Sequence, residues 1–447
     1  MRSMRKISAF FNNLSPELLL LLTFAMLITL GTLLLMMPFA TTAGIKPIDA
    51  LFTSTSASCV TGLIVVDTPT AFTFFGQLII LILIQIGGLG IMTLTTFFAM
   101  VAGRRITLRD RMLAASSLNV NRYGGILRLI ALVIRYTLMI ESAGAMILFF
   151  RFYQYFPGRP LYALWQSLFH SISAFCNAGF SLFSNNLEGF TNDPLINITI
   201  MALIILGGLG FAVISEIEMT KFKWTKMSLN TKIVLSTTLF LIVSGFLVLL
   251  AVNYDYLKNK MGLAEISWIS IFQAVTPRTA GFDTYPISNL STPAQLVIIL
   301  LMFIGGSPGS TAGGIKTTTF ATILLKTVGF FRGKEEISFL EKNISYASFR
   351  KSVAVLSLSL LTIFAGVFFL ELTDPFLPFK SIVFEVFSAF GTVGLDLGIS
   401  SSLSLWGKLT VVFLMYAGRM GIVTIISTLL KRQNALYTYP SEDIIIG

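Results

Sequence analysis

Apolar residues in this chain come in long unbroken runs, not in alternating faces. Residues 18–37, 78–101, 195–214 and 353–370 are almost continuously hydrophobic, and about twenty such residues is what a helix needs to cross hydrocarbon. The runs predict membrane helices, and no barrel-like alternation competes with them. Five basic segments punctuate them: the N-terminus, 103–128, 221–232, 326–351 and Lys431-Arg432. Between one basic segment and the next lie three apolar stretches. Two crossings must return the chain to the same side, so the middle stretch cannot span. It is short each time, roughly 48–58, 161–175, 264–276 and 380–390. These predict half-length pore helices that enter from outside and stop within the membrane, where irregular backbone is tolerated only if packed in protein or lining a watery cavity.

Each middle stretch hands over to a similar turn: Cys59-Val60-Thr61-Gly62-Leu63, Cys176-Asn177-Ala178-Gly179-Phe180, Arg278-Thr279-Ala280-Gly281-Phe282 and Gly391-Thr392-Val393-Gly394-Leu395. The turn glycines are 117, 102 and 113 residues apart, and each is followed 24 to 28 residues later by another, Gly87, Gly207, Gly305 or Gly418. The expected fold is therefore an all-α membrane protein of four outer helix, pore helix, inner helix repeats in pseudo-fourfold symmetry around one pore. It has eight spans and four re-entrant helices, with repeats at 1–110, 111–225, 226–340 and 341–447. Ser15 and Pro16 predict the N-cap and first position of the first span. Ser56-Ala57, Ser173-Ala174 and Ser388-Ala389 precede the turn equivalently, whereas the third repeat has Val275-Thr276.

A cation leaving water can be resolvated by backbone carbonyls only if the turn aims them inward, which requires torsions that glycine adopts freely. The expected ion site is Val60, Thr61, Gly62; Asn177, Ala178, Gly179; Thr279, Ala280, Gly281; and Thr392, Val393, Gly394. The four glycines hold the ion, and the polar side chains brace the turns or add an oxygen. The C-terminal ends of the pore helices add partial negative charge.

Composition agrees with the pattern. The 447 residues are 55% hydrophobic with a mean hydropathy of +0.82, and only 12% are charged, against roughly a quarter in soluble proteins. A net charge of +11 raises the question of nucleic acid. Twenty-one of the 32 basic residues, however, lie in the five segments above, which the positive-inside rule makes cytoplasmic along with both termini. The opposite side carries eight basic and eleven acidic residues, a mildly anionic mouth. Two cysteines provide no disulfide framework, and the single His170, read as a packing residue, excludes a multi-histidine metal site.

The third inner helix is interrupted by Gly305, Gly306, Ser307, Pro308, Gly309, Ser310, Thr311, Ala312, Gly313 and Gly314. Five glycines and a proline cannot continue a regular helix, so a flexible intramembrane loop over 304–316 is expected to gate the path. It is not a phosphate loop, because Ile315 separates Gly314 from Lys316. An intramembrane charge needs a partner or a watery cavity. Arg419, midway along the fourth inner helix, is expected to bond the loop's carbonyls and to add a barrier to cations, with Lys316 sharing this role. Arg135 and Glu141, six apart, are not an obvious pair.

These residues resemble those of the Trk/Ktr/HKT superfamily of potassium transporters, most closely the bacterial Ktr-type membrane subunit. The stretches that carry the resemblance include Gln85-Ile86-Gly87-Gly88-Leu89-Gly90, Asn177-Ala178-Gly179-Phe180-Ser181, Gly313-Gly314-Ile315-Lys316 and Ser388-Ala389-Phe390-Gly391-Thr392-Val393-Gly394-Leu395. The resemblance implies potassium uptake across the bacterial inner membrane, with K⁺ at Gly62, Gly179, Gly281 and Gly394 and a gate formed by the third loop and Arg419. It further implies a homodimer, a cytoplasmic ring of nucleotide-binding regulatory subunits and possible activation by Na⁺. The alternative is a secondary transporter of another small solute, coupled to sodium or protons at a broken helix. No plausible catalytic dyad supports an enzyme.

Overall fold

The computed structural model describes residues 15–103, 106–117, 125–333, 338–340 and 342–429. The basic segments at 1–6 and 431–432, and parts of two others, lie outside them. The chain is a helical membrane protein. Among the described residues four helices are, each by itself, long and apolar enough to span a bilayer: α1 (Pro16–Leu35), α6 (Ile126–Tyr155), α10 (Leu229–Leu257) and α14 (Tyr346–Thr373). Their outward faces leave Leu138, Phe150, Leu239, Leu247, Phe364 and Phe368 exposed, a surface that suits lipid rather than water. Side-chain caps set where helices begin: Ser15 accepts from Leu18 N–H ahead of Pro16, and Ser228 and Ser345 do the same for α10 and α14.

After each long helix comes a short one: α2 (Pro47–Ser58), α7 (Pro160–Phe175), α11 (Leu263–Val275) and α15 (Phe379–Gly391). The short helices are the buried centre of the molecule, each carrying a fully buried phenylalanine: Phe52, Phe169, Phe272 and Phe384. A 12- to 16-residue helix is about 18–24 Å long at 1.5 Å per residue, so it ends inside the bundle.

The third element differs from expectation. The runs 78–101 and 195–214 do not form straight spans. The first is α3 (Phe74–Leu89) followed by α4 (Ile91–Val101), which α5 (Leu108–Ser117) follows; the second is α8 (Pro194–Gly208) followed by α9 (Phe211–Thr220). The two pairs bend by 93° and 94°. In the last quarter α16 (Leu405–Met420) and α17 (Ile422–Leu429) meet at 91°. The hinges are Gly90, Gly210 and Gly421, with φ of 82°, 93° and 81°, torsions that end a right-handed helix and that other residues resist. Between α12 (Thr292–Phe303) and α13 (Thr317–Phe331) the loop 304–316 stands instead. A small hairpin, β1 (Ser338–Phe339) with β2 (Lys342–Asn343), precedes α14.

One buried ion pair joins chain regions 359 residues apart. Lys408 Nζ on the first turn of α16 donates to Asp49 Oδ1 on the first turn of α2 at 2.6 Å, both side chains about nine-tenths buried.

Candidate functional site

Each short helix ends in a turn of the same backbone shape. Val60, Asn177, Thr279 and Thr392, two positions before the glycine, have φ of 58°, 59°, 74° and 52°, and Gly62, Gly179, Gly281 and Gly394 have φ of 94°, 68°, 74° and 93°. Left-handed torsions on β-branched residues cost about 1–2 kcal/mol each, so the turns must be held. The serine six positions before the glycine does this in three of them. Ser56 accepts Thr61 N–H on its carbonyl (2.8 Å) and Gly62 N–H on its hydroxyl (3.0 Å); Ser388 does the same for Val393 and Gly394 (2.8 and 3.1 Å). Ser173 accepts Ala178 N–H on its carbonyl and donates to Phe180 O at 2.8 Å. The third turn has Val275 there, and Thr276 serves instead, accepting from Ala280 N–H and donating to Phe282 O at 2.5 Å. Leu63, Phe180, Phe282 and Leu395, next after each glycine, are buried and anchor the way out.

The four turns pack on one another in cyclic order. A methyl built on Gly62 would lie 2.5 Å from Ala178 O and 3.1 Å from Gly179 Cα; one on Gly179, 2.7 Å from Ala280 O and 2.9 Å from Gly281 Cα. One on Gly281 would strike Val393 O and lie 3.1 Å from Gly394 Cα, and one on Gly394 would strike Thr61 O and lie 2.9 Å from Gly62 Cα. The circle closes, and no side chain fits at any of the four positions. All four glycines line one vestibule, whose wall carries Asp67, Glu188, Asp283 and Asp396 and no basic side chain among the described residues. Burial, and then Glu188 and Asp396, pushes the Asp283 carboxyl well above its ordinary range. Burial also raises Glu188 and Asp396, the latter against opposing hydrogen bonds from Ser400 and backbone N–H groups.

On the other side of the circle a second set of glycines lets the bent helices approach. A methyl on Gly87, Gly207 or Gly418 would strike the carbonyl of Ser58, Phe175 or Phe390, at or next to the end of a short helix. Gly305 instead faces Gly313 O and, at 3.2 Å, the Thr279 side chain.

The loop expected to be flexible is tied at base and tip. Gly305 N–H donates to Ile315 O (2.9 Å) and Thr317 N–H to Gly306 O (3.1 Å), while the hydroxyls of Ser307 and Thr317 are 3.0 Å apart. Its tip lies on the hinge of the second bent helix, with Ser307 N–H on Gly208 O (3.0 Å), Phe211 N–H on Gly309 O (2.9 Å) and the Thr311 hydroxyl on Gly207 O (3.1 Å). Pro308 and Ser310 at the tip are part-buried; Gly313 and Gly314 return beneath the fourth turn, against Thr392 and Gly391 O. Arg419 donates to Thr311 O, Gly87 O and Gly88 O, bridging loop and first bent helix. Lys316 Nζ donates back to Ala312 O (2.7 Å) and Gly313 O (3.3 Å), so it too bonds carbonyls of the loop.

Of the side chains expected to brace the turns, Asn177 donates its amide N–H groups to Ala174 O and Ile204 O at 3.0 and 3.2 Å, which leaves its side-chain oxygen 3.5 Å from Thr279 Oγ1, positioned to accept from that hydroxyl. The hydroxyls of Thr61 and Thr392 are buried with no partner among the described residues. One residue that the sequence did not single out, Asn186, also reaches the site. It donates its side-chain amide to Gly281 O at 3.3 Å. Glu141, buried in α6, accepts from Gln85 (3.3 Å) beside the Cys176 thiol; its partner is Gln85, not Arg135. His170 lies within α7, bonded to Gln166 O (2.7 Å) and the Ser181 hydroxyl (3.0 Å) and stacked on Phe183. Cys59 and Cys176 are buried helix ends.

The family model described as TrkH, cation transport protein, matches residues 20–437. The chain is 41% identical to the Ktr system potassium uptake protein B of Bacillus subtilis strain 168 over 97% of both chains. It is 36% identical to the potassium/sodium uptake protein NtpJ of Enterococcus hirae over 97% of this chain and 98% of that protein. The fold is similar to that of the potassium transporter TrkH from Vibrio parahaemolyticus, with a TM-score of 0.74, 19% identity and coverage of 94% and 86%.

Proposed function

This chain belongs to the TrkH family of cation transport proteins, and from that premise we propose that it takes up potassium through the constriction made by its four turns. The observation that carries the reading is the cyclic packing of Gly62, Gly179, Gly281 and Gly394, each facing the next turn's carbonyl. Peptide oxygens of Val60, Thr61, Asn177, Ala178, Thr279, Ala280, Thr392 and Val393, with those of the glycines, replace the hydration shell of K⁺. The four quarters stand around one pathway in pseudo-fourfold arrangement, and the acidic vestibule is its outer mouth, raising the local cation concentration. As a family member the chain is a transporter, not an enzyme.

Beneath the constriction, Gly305 to Gly314 with Lys316 form the gate, and Arg419 holds it shut by bonding Thr311 O while placing a positive charge near the path. The assembly is a homodimer in the bacterial inner membrane with both termini in the cytoplasm. A cytoplasmic ring of nucleotide-binding subunits opens the gate; Ktr-system relatives support that partnership in name, and the potassium/sodium relative supports a role for Na⁺. All four third elements are broken, so the loop in the third does not by itself mark a secondary-transporter site.

The test is Gly281→Ser or Gly394→Ser, with potassium and sodium uptake compared in a transport-deficient strain. Loss of discrimination is expected; unchanged selectivity would falsify the constriction.

A further inference from the structure

One buried group has no part in that reading. Glu385 lies nine positions before its turn glycine, where the other short helices carry Thr53, His170 and Phe272. It is fully buried. Its Oε1 is 2.6 Å from Ser400 Oγ, and Ser400 Oγ is 3.0 Å from Asp396 Oδ2, on the vestibule wall. Its Oε2 is buried without a partner among the described residues.

A serine hydroxyl has one proton to donate. It cannot serve two ionised carboxylates, and an ionised glutamate with a bare oxygen in a dry interior is costly. The bonding closes when Glu385 carries a proton: its O–H donates to Ser400 Oγ, the Ser400 O–H donates to Asp396, and the bare Oε2 is then only a neutral carbonyl. We propose that Glu385 is held as the neutral acid, and that through Ser400 it fixes Asp396 as the ionised carboxylate that sets cation affinity at the vestibule. Glu385 is thus a positioning residue and Asp396 a specificity residue; the assignment rests on the potassium-uptake reading.

The surrounding charges agree. The vestibule adds only Asp67, Glu188 and Asp283. Of the helices packed on α15, α12 carries no ionisable side chain and α14 carries Glu371 near the same end. On α16, Lys408 is bound to Asp49 and Arg419 to backbone carbonyls. On α15 itself Lys380 is exposed, and among the described residues no cation forms an ion pair with Glu385.

The experiment measures rubidium uptake by the purified full-length protein in liposomes. Asp396→Asn is expected to raise KM about tenfold with little change in the maximal rate. Glu385→Ala and Ser400→Ala should raise KM in the same sense, and Glu385→Ala should add nothing to Asp396→Asn. Glu385→Gln, whose amide N–H replaces the acid O–H, should keep KM within about twofold of the parent protein, because one donor to Ser400 is retained. Glu385→Gln as damaging as Glu385→Ala, or an unaltered KM in Asp396→Asn, overturns the proposal. Infrared difference spectra supply an independent readout: the carbonyl stretch of a protonated carboxylic acid should be present at neutral pH and vanish in Glu385→Gln. Absence of that band refutes the neutral acid even if the parent protein moves no rubidium, an outcome that would instead strike the uptake reading.

Discussion

Val60, Thr279 and Thr392 carry left-handed torsions that cost a β-branched residue about 1–2 kcal/mol each, and the bonds that hold them are few and nameable. Ser56→Ala and Ser388→Ala each remove the hydroxyl that receives a turn glycine's N–H. Each is expected to destabilise the protein by about 1 kcal/mol, read from thermal unfolding in detergent, and to weaken potassium over sodium discrimination as the turn relaxes. A variant with normal discrimination would show that the hydroxyl is dispensable to the turn. The glycines and serines were legible because spacing alone marks them. The strained position was not, since valine, asparagine and threonine share no chemistry that announces a positive φ. Asn186 was hidden for another reason: its contact with Gly281 O spans 95 residues, and nothing local in either stretch points to the other.

Among the elements, the third loop and the three hinges are variations on one spacing. Gly90, Gly210 and Gly421 stand three residues after Gly87, Gly207 and Gly418, and Pro308 stands three after Gly305. That pattern was in the sequence and would have marked every third element as broken; continuous hydrophobicity concealed it, because a bend buried in protein need not be polar. The position after the first glycine of each set holds Gly88, Gly208, Gly306 and Arg419, so the arginine occupies the place where the other three have no side chain. Arg419→Ala should free Thr311 O and loosen the loop tip, raising potassium flux several-fold, since an electrostatic barrier of about 1.4 kcal/mol is already a factor of ten. Deletion of residues 307–311 should do the same and reduce dependence on any regulatory partner. Unchanged flux in both variants removes the gate.

For the molecule as a whole, the four long spanning helices among the described residues follow from hydrophobic run length, while the breaks in the third elements and the contacts that close the bundle do not. Lys408→Ala leaves Asp49 buried without its cation and is expected to cost about 3 kcal/mol; adding Asp49→Asn should recover most of it, as thermal unfolding would report. The vestibule yields a pH prediction. Burial raises Asp283, Glu188 and Asp396, so these groups take up protons before ordinary carboxylates as outside pH falls. The mouth then loses negative charge, and KM for potassium should rise as pH falls, beginning above the range where ordinary carboxylates titrate; a KM flat down to that range would mean that the carboxylates do not recruit the ion. The four-turn circle has one more effect, on biosynthesis. Gly394 stands between Gly281 and Gly62, so a nascent chain has three sides of the constriction until its last quarter is inserted. On the proposed reading, an interrupted product therefore lacks the enclosure that would let it select potassium.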